Sequence, residues 1–370
     1  MSRHLAWFFL AVAMLVVSAP LHALNYEVGG CRSGVSWVNF TTISAAVIGV
    51  PAGSKIQVCP GVYPEQVTIT QPLTLQGIRS GNANRAVITL NPNGGVVPNA
   101  TIGGQPYYAQ VLVQNVIPAG PVNIIGITVD GAGANAGCST LTLAGILYNS
   151  STTGTVNEVT ARNQVNNDGC GLGILLYNGS STNETITVEN SSFHGQGAAG
   201  GGIWTYAGPS STLTATVSGN FLSNAGGNAI LAMTNGGISG NLVTSSNNPG
   251  ACAICDFGPE VVSGNTLADD AWGVGIDDSS PTSVVESNKL SNVATAIINV
   301  SGVTTPIKLN TIKNAVCAID FYGGASSSGP ISGNIINDAQ YGFAEWSGPT
   351  ITGNSLYNID TIQTTSSPCP

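Results

Sequence analysis

A repeated asparagine constrains the fold of this chain more than any other feature of its sequence. Seven asparagines follow one another at intervals of 20 to 24 residues, at Asn220, Asn241, Asn265, Asn288, Asn310, Asn334 and Asn354. A β-branched aliphatic residue lies three positions before each of them, and another aliphatic residue lies two positions after. A short polar residue lies four positions after. A pattern with this period indicates stacked structural units rather than a globular domain.

The residue types within each repeat predict short strands and one tight bend. β-Branched residues favour strands, and the gaps between them are too short for a helix. Asparagine suits a bend because it tolerates the left-handed backbone conformation. In stacked repeats each asparagine side chain would lie beside its counterpart and bond to it. The sequence therefore predicts an asparagine ladder inside a parallel solenoid with a continuous aliphatic core.

A second strand follows each bend and closes the repeat. We predict its inward column at Ile230, Ile254, Ile276, Ile297, Ile319 and Phe343, which lie 9 to 13 residues after the asparagines. The same column continues upstream, in longer repeats, at Ile146, Ile174 and Ile203. A single solenoid of about twelve such coils accounts for the chain length without a second domain.

Charge and composition limit the possible partners. Only 7% of the residues are charged, while 42% are hydrophobic and periodic, so a packed core is expected rather than disorder. The net charge of −9 argues against nucleic acid, which favours a basic face. An acidic polysaccharide would also be repelled unless calcium or a local basic patch intervened. No cofactor is expected; calcium stays open, although no specific motif supports it.

The first 23 residues predict a secretory signal. Arg3 and His4 precede an apolar run over 5–17 that is too short to span a membrane. Ala23 is the predicted last residue of the signal. We therefore expect one β-helix domain over 24–370, without a transmembrane anchor and secreted or periplasmic.

The cysteines predict disulfides, because their number is even and the chain is expected to be exported. They are Cys31, Cys59, Cys138, Cys170, Cys252, Cys255, Cys317 and Cys369. Cys138 and Cys170 fall in adjacent coils and are predicted to pair. Cys31 and Cys59 flank the expected N-terminal cap.

Two further cysteines are predicted not to pair with each other. Cys252 and Cys317 share a column three coils apart, roughly 14 Å, which is too far to bridge. The Cys252-x-x-Cys255 spacing also fits a redox motif or half of a zinc site. Because no second such pair accompanies it, a structural role is the favoured interpretation.

The N-terminal part resembles a known superfamily. Residues 39–50 have apolar positions at helical spacing, and a small-residue turn follows them. Residues 58–67 then read Val-Cys-Pro-Gly-Val-Tyr-Pro-Glu-Gln-Val. This opening resembles that of pectinesterases and other members of the pectin-lyase-like superfamily. The later repeats resemble its right-handed parallel β-helix repeats. The resemblance implies an all-β, right-handed parallel β-helix with a short capping helix at about 41–50.

The catalytic motifs of that superfamily are incomplete in this sequence. The Gly-Ile-Asp-Asp run at 275–278 is similar to the Gly-x-Asp-Asp element of polygalacturonases, but their Gly-His-Gly and Arg-x-Lys elements do not follow. No arginine-tryptophan element of the pectinesterase kind occurs late in the chain. Arg162 is the only arginine after Arg85, and His194 is the only histidine expected in the mature chain.

Four aspartates form the candidate catalytic set. Asp277 and Asp320 each follow a predicted inward isoleucine and are expected to point outward. Asp256 and Asp278 lie one residue further on, where stacked strands would bring them about 5 Å apart. Carboxylates this close shift each other's pKa, which suits acid–base chemistry or cation binding. The alternative is that Asp256 and Asp278 only end strands at turns.

Aromatic residues near the same strand predict a surface for sugar rings, since flat aromatics combine apolar area with a polar group. They are Tyr148, Tyr177, Trp204, Tyr206 and Trp272. The alternative is that they pack loops against the solenoid. With the aspartates they define an expected ligand groove from Trp204 to Asp320.

Two functions are compatible with these features. The first is an exported β-helix protein that binds extracellular or cell-wall carbohydrate, with a polysaccharide or cell-surface glycan as its partner. The alternative is a polysaccharide-degrading enzyme, either a glycoside hydrolase of the polygalacturonase-like type or another pectin-active enzyme. In that case Asp277 or Asp278 would be the general acid, and Asp256 or Asp320 the base.

Overall fold

The computed structural model describes residues 25–32, 37–80, 83–84, 86–91, 97–132, 142–150, 153–164, 171–196, 200–246, 250–277, 283–300, 305–324, 329–346, 351–366 and 368–370. Within these ranges the helices are the α-helix Ile43–Gly49 and a 3-10 turn at Tyr322–Gly324. The strands lie in two large sheets of 13 and 21 strands and in one small antiparallel pair, Arg79–Ser80 with Ala83–Asn84. Among the described residues, no helix has both the length and the apolar character that a membrane span requires.

Each turn of the chain, here called a coil, contributes strands to three stacks. The strand before the asparagine belongs to stack 1. In spatial order stack 1 contains Trp37–Phe40, Asn25–Val28, Ser54–Val58, Leu73–Gly77, Val122–Ile125, Gly154–Asn157, Asn183–Glu189, Thr212–Ser218, Asn235–Ser239, Glu260–Ser263, Val284–Glu286, Ile307–Lys308 and Ile331–Ser332.

The other two stacks together form the larger sheet. Stack 2 is made of short strands after the corner, at Gly61–Pro64, Ala86–Thr89, Thr128–Asp130, Thr160–Arg162, Ser192–His194, Phe221–Ser223, Leu242–Thr244 and Thr266–Ala268. Stack 3 closes each coil, at Val67–Ile69, Gln105–Gln114, Thr142–Asn149, Gly171–Asn178, Gly200–Ala207, Ile230–Met233, Cys252–Asp256 and Trp272–Ile276. The last four coils use one long strand for both stacks, at Lys289–Asn299, Thr311–Asp320, Ile335–Ala344 and Ser355–Gln363. A further strand, Ala100–Ile102, pairs antiparallel with Gln105–Gln114.

Inward side chains of successive coils stack into one continuous core. In stack 1 the predicted aliphatic column is present, because Val217, Ile238, Val262, Val285, Ile307 and Ile331 are successive register partners and are all buried. The parallel register continues from coil to coil in all three stacks. The prediction of an all-β, right-handed parallel β-helix is confirmed.

The predicted asparagine ladder is present from Asn220 to Asn354. In each step the side-chain amide and the backbone N–H of one asparagine donate to the Oδ1 atom of the next, over 2.9–3.0 Å. Upstream, Ser191 extends the ladder, because its backbone N–H donates to Asn220 Oδ1 and its hydroxyl accepts from the N–H of Val159. The ladder therefore satisfies amide groups that the corner buries.

The bend does not use the asparagine in the way the sequence predicted. The residue with positive φ precedes each ladder asparagine and is most often glycine, at Gly219, Gly240, Gly264, Ser287, Leu309, Gly333 and Gly353. Glycine adopts this conformation without steric cost, so the asparagine is needed for its amide rather than for the bend. The polar residue four positions after each asparagine also has positive φ, and Asp269 and Asp338 lie there as turn residues.

The N-terminal cap contains more than the predicted helix. Trp37–Phe40 forms a strand that pairs with Asn25–Val28, which in turn pairs with Ser54–Val58. The helix begins only after Thr42, whose hydroxyl accepts from the N–H of Ala45. The predicted helical start at Asn39 was wrong, because this part of the chain extends stack 1 by two strands.

Long side chains fix the helix to the first coil. The Glu65 carboxylate accepts the N–H groups of Ile43 and Ser44, each over 2.8 Å. At the other end, the Gln71 amide donates to the carbonyl oxygens of Val47 and Val50. The opening motif singled out in the sequence therefore has a structural use here, since its glutamate binds the start of the helix.

Three disulfides lie within the described residues: Cys31–Cys59, Cys252–Cys255 and Cys317–Cys369. The prediction that Cys252 does not pair with Cys317 is confirmed, and the Cys-x-x-Cys run forms its own disulfide. Cys138 and Cys170 lie outside the described residues, as do Asp278 and the predicted signal at 1–23.

Candidate functional site

The register of stack 3 decides which aspartates reach the surface. Ile254 pairs with Val274, and Val274 pairs with Ile297. The sequence placed Ile276 in this column, which was wrong by two residues. Ile276 is also fully buried, and residues two apart on a strand point to the same side, so the pattern of apolar residues did not separate the two registers.

Asp256 lies inside the coil, two residues after the inward Ile254 on the same strand. Asp256 pairs with Ala232 on one side and Ile276 on the other, and all three side chains are buried. Its Oδ1 atom accepts the N–H of Gly258 over 3.1 Å. An aspartate in the interior cannot touch a ligand bound on the outer face, so the geometry removes Asp256 from the outer groove.

Asp277 lies on the outer face. It follows the strand Trp272–Ile276, its side chain is exposed, and its backbone N–H donates to the carbonyl of Asp256 over 2.9 Å. It belongs to a column of outward residues that recurs once per coil on stack 3. We call this column the outer ridge; its members are Tyr177, Tyr206, Met233, Phe257, Asp277, Val300 and Tyr322.

The outer ridge is mostly aromatic or apolar although it faces solvent. Tyr177 and Tyr206 are register partners, and their rings are parallel within 5° with centroids 5.6 Å apart. Tyr206, Met233 and Phe257 are 37–39% exposed, and Tyr322 is 56% exposed. Side chains of this kind lose apolar contact with water when a flat ligand covers them. The ridge is therefore a ready contact surface.

The other predicted aromatics do not join the ridge. Tyr148 was predicted on the outer face, but it points into the core, is fully buried and donates its hydroxyl to the carbonyl of Val122 over 2.8 Å. Trp204 is outward and half-buried, and its indole N–H donates to the carbonyl of Asn228. It packs against an outer apolar layer that includes Leu147 and Leu175.

A C-terminal segment crosses the outer face of stack 3. We call its described residues, 364–366 and 368–370, the strap. It begins on the last coils, where Thr364 exchanges backbone hydrogen bonds with Phe343 and Trp346. It then reaches back to the disulfide Cys317–Cys369 and to Trp272, whose indole N–H donates to the carbonyl of Pro370 over 3.1 Å. Trp272, predicted to bind substrate, thus contacts the protein's own strap.

The side chain of Asp320 points away from the core on stack 3, but it is nevertheless buried. Only 2% of its surface is exposed, and its Oδ1 atom has no hydrogen-bond partner among the described residues. Burial raises the pKa of Asp320 to about 6; the charge of Glu345 adds to the rise, and the N–H of Phe321 opposes it. Asp320 is therefore shielded from solvent, whereas Asp277, which was predicted to lie in the same groove, is exposed.

The sequence analysis missed a polar cluster on the outer face of stack 2. Asp130, Arg162, His194 and Ser223 are register partners in four successive coils. The signal was present in the sequence, since Arg162 and His194 are the rare basic residues of this part of the chain. Their spacing could not be interpreted because the coils that carry them are longer than the seven asparagine repeats.

One group of three potential metal ligands lies close together among the described residues. Glu27, Cys31 and Cys59 lie within ligand distance of one another. Because Cys31 and Cys59 form a disulfide, their sulfur atoms do not offer thiolates to a metal. We therefore interpret this group as a structural feature of the N-terminal cap rather than a metal site.

Comparison with known proteins identifies the class of fold. The family model for a right-handed β-helix region matches residues 207–358, which contain the asparagine repeats. No curated protein matches the sequence. Together with the sheet topology, the match defines a right-handed parallel β-helix.

Solved structures resemble the chain in fold at low sequence identity. The native GH136 lacto-N-biosidase from Eubacterium ramulus aligns with a TM-score of 0.53 and 10% identity, over 91% of this chain and 68% of that one. The family 28 exopolygalacturonase of Yersinia enterocolitica aligns with a TM-score of 0.51 and 12% identity, over 86% and 74%. Aligned with the selenomethionine derivative of the same lacto-N-biosidase, this chain spans 62% of the length of that protein. At such identities the likeness concerns the fold.

Proposed function

We propose that this chain is an exported β-helix protein that binds an extracellular or cell-wall polysaccharide along the outer ridge. The stacked pair Tyr177 and Tyr206 carries the proposal, because it presents two parallel rings and two hydroxyl groups on an outward column. Aromatic side chains with a polar end suit sugar rings, which have apolar faces and hydroxyl edges. Binding is preferred to catalysis because the exposed ridge contains one described carboxylate, Asp277.

The geometry of the ridge suits an extended ligand. Its members recur once per coil, about 4.8 Å apart, so a linear polymer lying along the solenoid contacts several of them. Phe257 and Tyr322 lie on either side of Asp277 along the ridge, and the Asp277 carboxylate can accept hydrogen bonds from sugar hydroxyls. Two proteins of similar fold are a lacto-N-biosidase and an exopolygalacturonase. Their names are in keeping with a glycan ligand for this chain.

Export is part of the proposal. The three described disulfides suit an oxidising compartment, where such bonds form and persist. The predicted signal at 1–23 would direct the chain there. Expression in a bacterial host, followed by fractionation and N-terminal sequencing of the exported protein, tests it. Cleavage after Ala23 is expected, and retention of an unprocessed chain in the cytoplasm would contradict export.

Binding to a panel of soluble neutral and acidic oligosaccharides tests the proposed function. Tyr177→Ala and Tyr206→Ala should each weaken binding by roughly two- to tenfold, because each removes one aromatic contact. Tyr357→Ala is a matched control, since Tyr357 is 57% exposed but lies on stack 2 of the last coil. Equal affinity of all three variants and the wild type would place the ligand elsewhere.

A hydrolase is the second candidate, and the raised pKa of Asp320 favours it. A carboxyl group that titrates near 6 suits a general acid, rather than the base for which the sequence proposed it. Asp277 or Asp278 would then be the partner carboxylate. Because the strap covers the face that carries Asp320, reducing-sugar release should be measured for the wild type and for Cys369→Ser. Release that Asp320→Asn abolishes would establish the hydrolase, and no release from either protein would exclude it.

A further inference from the structure

The polar cluster on the outer face of stack 2 lies apart from the outer ridge. Arg162 and His194 occupy the same register position in neighbouring coils, with Asp130 before them and Ser223 after them. Further along this column the residues are Thr244, Ala268, Ser291 and Lys313. The arginine and the histidine are therefore concentrated at one end of the column.

Asp130 fixes the orientation of Arg162. Its Oδ2 atom accepts from Arg162 Nε over 2.8 Å, and its Oδ1 atom accepts from the Asn163 amide and the N–H of Ala132. Burial alone would raise the pKa of Asp130, but these hydrogen bonds and the charge of Arg162 together hold it below its usual value. The Asp130 carboxylate is thus ionised, both of its oxygen atoms accept hydrogen bonds, and it is buried beneath the guanidinium.

This arrangement leaves the outer edge of the guanidinium open. The side chain of Arg162 is 46% exposed, and its two Nη groups have no partner among the described residues. A guanidinium held through Nε presents the remaining N–H groups in a planar fork, which matches the two oxygens of a carboxylate.

His194 is held in an equally defined position. Its Nδ1 atom lies 3.0 Å from Ser223 Oγ, and its ring packs at a 60° tilt against Phe221, with centroids 5.6 Å apart. Nε2 has no partner among the described residues. Partial burial and then the charge of Arg162 lower the pKa of His194, so the ring is neutral at neutral pH and can exchange one hydrogen bond through Nε2.

We propose that Arg162 and His194 form a second glycan-binding site, which accepts a carboxylate-bearing sugar such as a uronate. Arg162 binds the carboxylate, His194 bonds to a neighbouring hydroxyl, and the exposed ring of Phe221 contacts the apolar face of the sugar ring. The chain has a net charge of −9, so an acidic glycan needs a local positive charge to bind, and the Arg162 guanidinium supplies it. The site lies on a different stack from the outer ridge and does not depend on the ridge binding any ligand.

Calorimetric titration with a soluble oligouronide at low ionic strength tests the site. The wild type should bind the oligouronide and lose affinity as salt is added, because the contact is charged. Arg162→Gln should weaken binding about tenfold or more, since a hydrogen bond to a charged group is lost. His194→Gln should weaken it less. Lys313→Gln, which removes a cation from the same column, should bind like the wild type.

Titrations with two further ligands separate the contribution of the carboxylate charge from that of the ring shape. The fully methyl-esterified oligouronide keeps the rings but lacks the carboxylate, so it should bind more weakly than the free oligouronide. The uronic acid monomer should also bind more weakly than the oligomer. Arg162→Gln leaves Asp130 without its partner, so His194→Gln, whose ring is exposed, serves as the second variant if the first does not fold. The site is overturned if the wild type does not bind the oligouronide, if the ester binds as tightly, or if His194→Gln and Arg162→Gln both bind like the wild type.

Discussion

The amide of Asn288 donates to Asn310 Oδ1 over 3.0 Å, and the backbone N–H of Asn288 donates to the same oxygen over 3.0 Å. Asn288 is fully buried and in turn accepts two hydrogen bonds from Asn265. Its amide also donates to the carbonyl of Val262. One side chain thus connects three coils, and the corner of the solenoid depends on it.

Substitution of Asn288 by alanine should destabilise the protein by about 1–3 kcal/mol. The change leaves the N–H and amide of Asn265 and the carbonyl of Val262 without their partners in a buried corner. Chemical unfolding measures the loss. Asn292→Gly is the matched control, because Asn292 lies in the same coil, its side-chain contacts are exposed and glycine keeps its positive φ without strain. If Asn288→Ala and Asn310→Ala both unfold like the wild type, the ladder does not stabilise the corner.

Stability should fall as the pH rises from about 4 to 8. Burial raises the pKa of Glu184 and of Asp270 to about 7, and the pKa of Asp320 to about 6. In each case the folded value exceeds the unfolded one, so the folded state binds more protons. The stabilisation is complete below the unfolded pKa and is lost as the pH passes the folded pKa.

The expected change is on the order of a few kcal/mol in the free energy of unfolding. Melting temperatures at pH 5 and pH 8 measure it, with Glu184→Gln as the comparison, because a neutral amide removes one of the three titrations. Glu184→Gln should narrow the difference between the two pH values. A difference between the two pH values that Glu184→Gln leaves unchanged would contradict the raised pKa of Glu184.

Release of the strap should expose Trp272. The disulfide Cys317–Cys369 spans 52 residues, whereas Cys252–Cys255 spans 3, and a longer closed loop restricts the unfolded chain more. Cys369→Ser should therefore lower the melting temperature more than Cys255→Ser does. It should also shift tryptophan fluorescence towards the solvent-exposed value. An unchanged spectrum in Cys369→Ser would show that the strap stays in place without its disulfide.

The pairing of Cys138 with Cys170 remains a prediction. Peptide mapping without reduction should recover the two cysteines in one cross-linked fragment, alongside Cys31–Cys59, Cys252–Cys255 and Cys317–Cys369. Recovery of Cys138 or Cys170 as a free thiol, or in a mixed pair, would reject it.

Periodicity in the sequence was sufficient for the fold and for the ladder. Asn220 to Asn354 repeat with neighbours of constant type, so each repeat supports the interpretation of the others. The same periodicity did not fix the register of stack 3, because a shift of two residues keeps the same side of a strand inward. This ambiguity moved Val274 out of the predicted column, so Asp256 was expected beside Asp278 although it pairs with Ile276.

The candidate site was harder to predict because its decisive contacts lie outside the repeat. The bond from Trp272 to Pro370 joins residues 98 apart in a segment with no repeated pattern. Tyr148 was placed outward from its position at a strand end, although the register with Leu176 turns it into the core. Tyr177 and Tyr206 do lie outside the core, since both follow their inward isoleucines by three positions.

Hydroxyl-radical footprinting with a bound oligosaccharide would locate the glycan most directly, since the outer ridge is rich in the aromatic and sulfur-containing side chains that this chemistry modifies. Binding along the ridge predicts protection of Tyr177, Tyr206, Met233 and Phe257, with no change at Tyr357 on stack 2. Protection confined to other surfaces, with the four ridge residues modified as in the free protein, would contradict the proposed function.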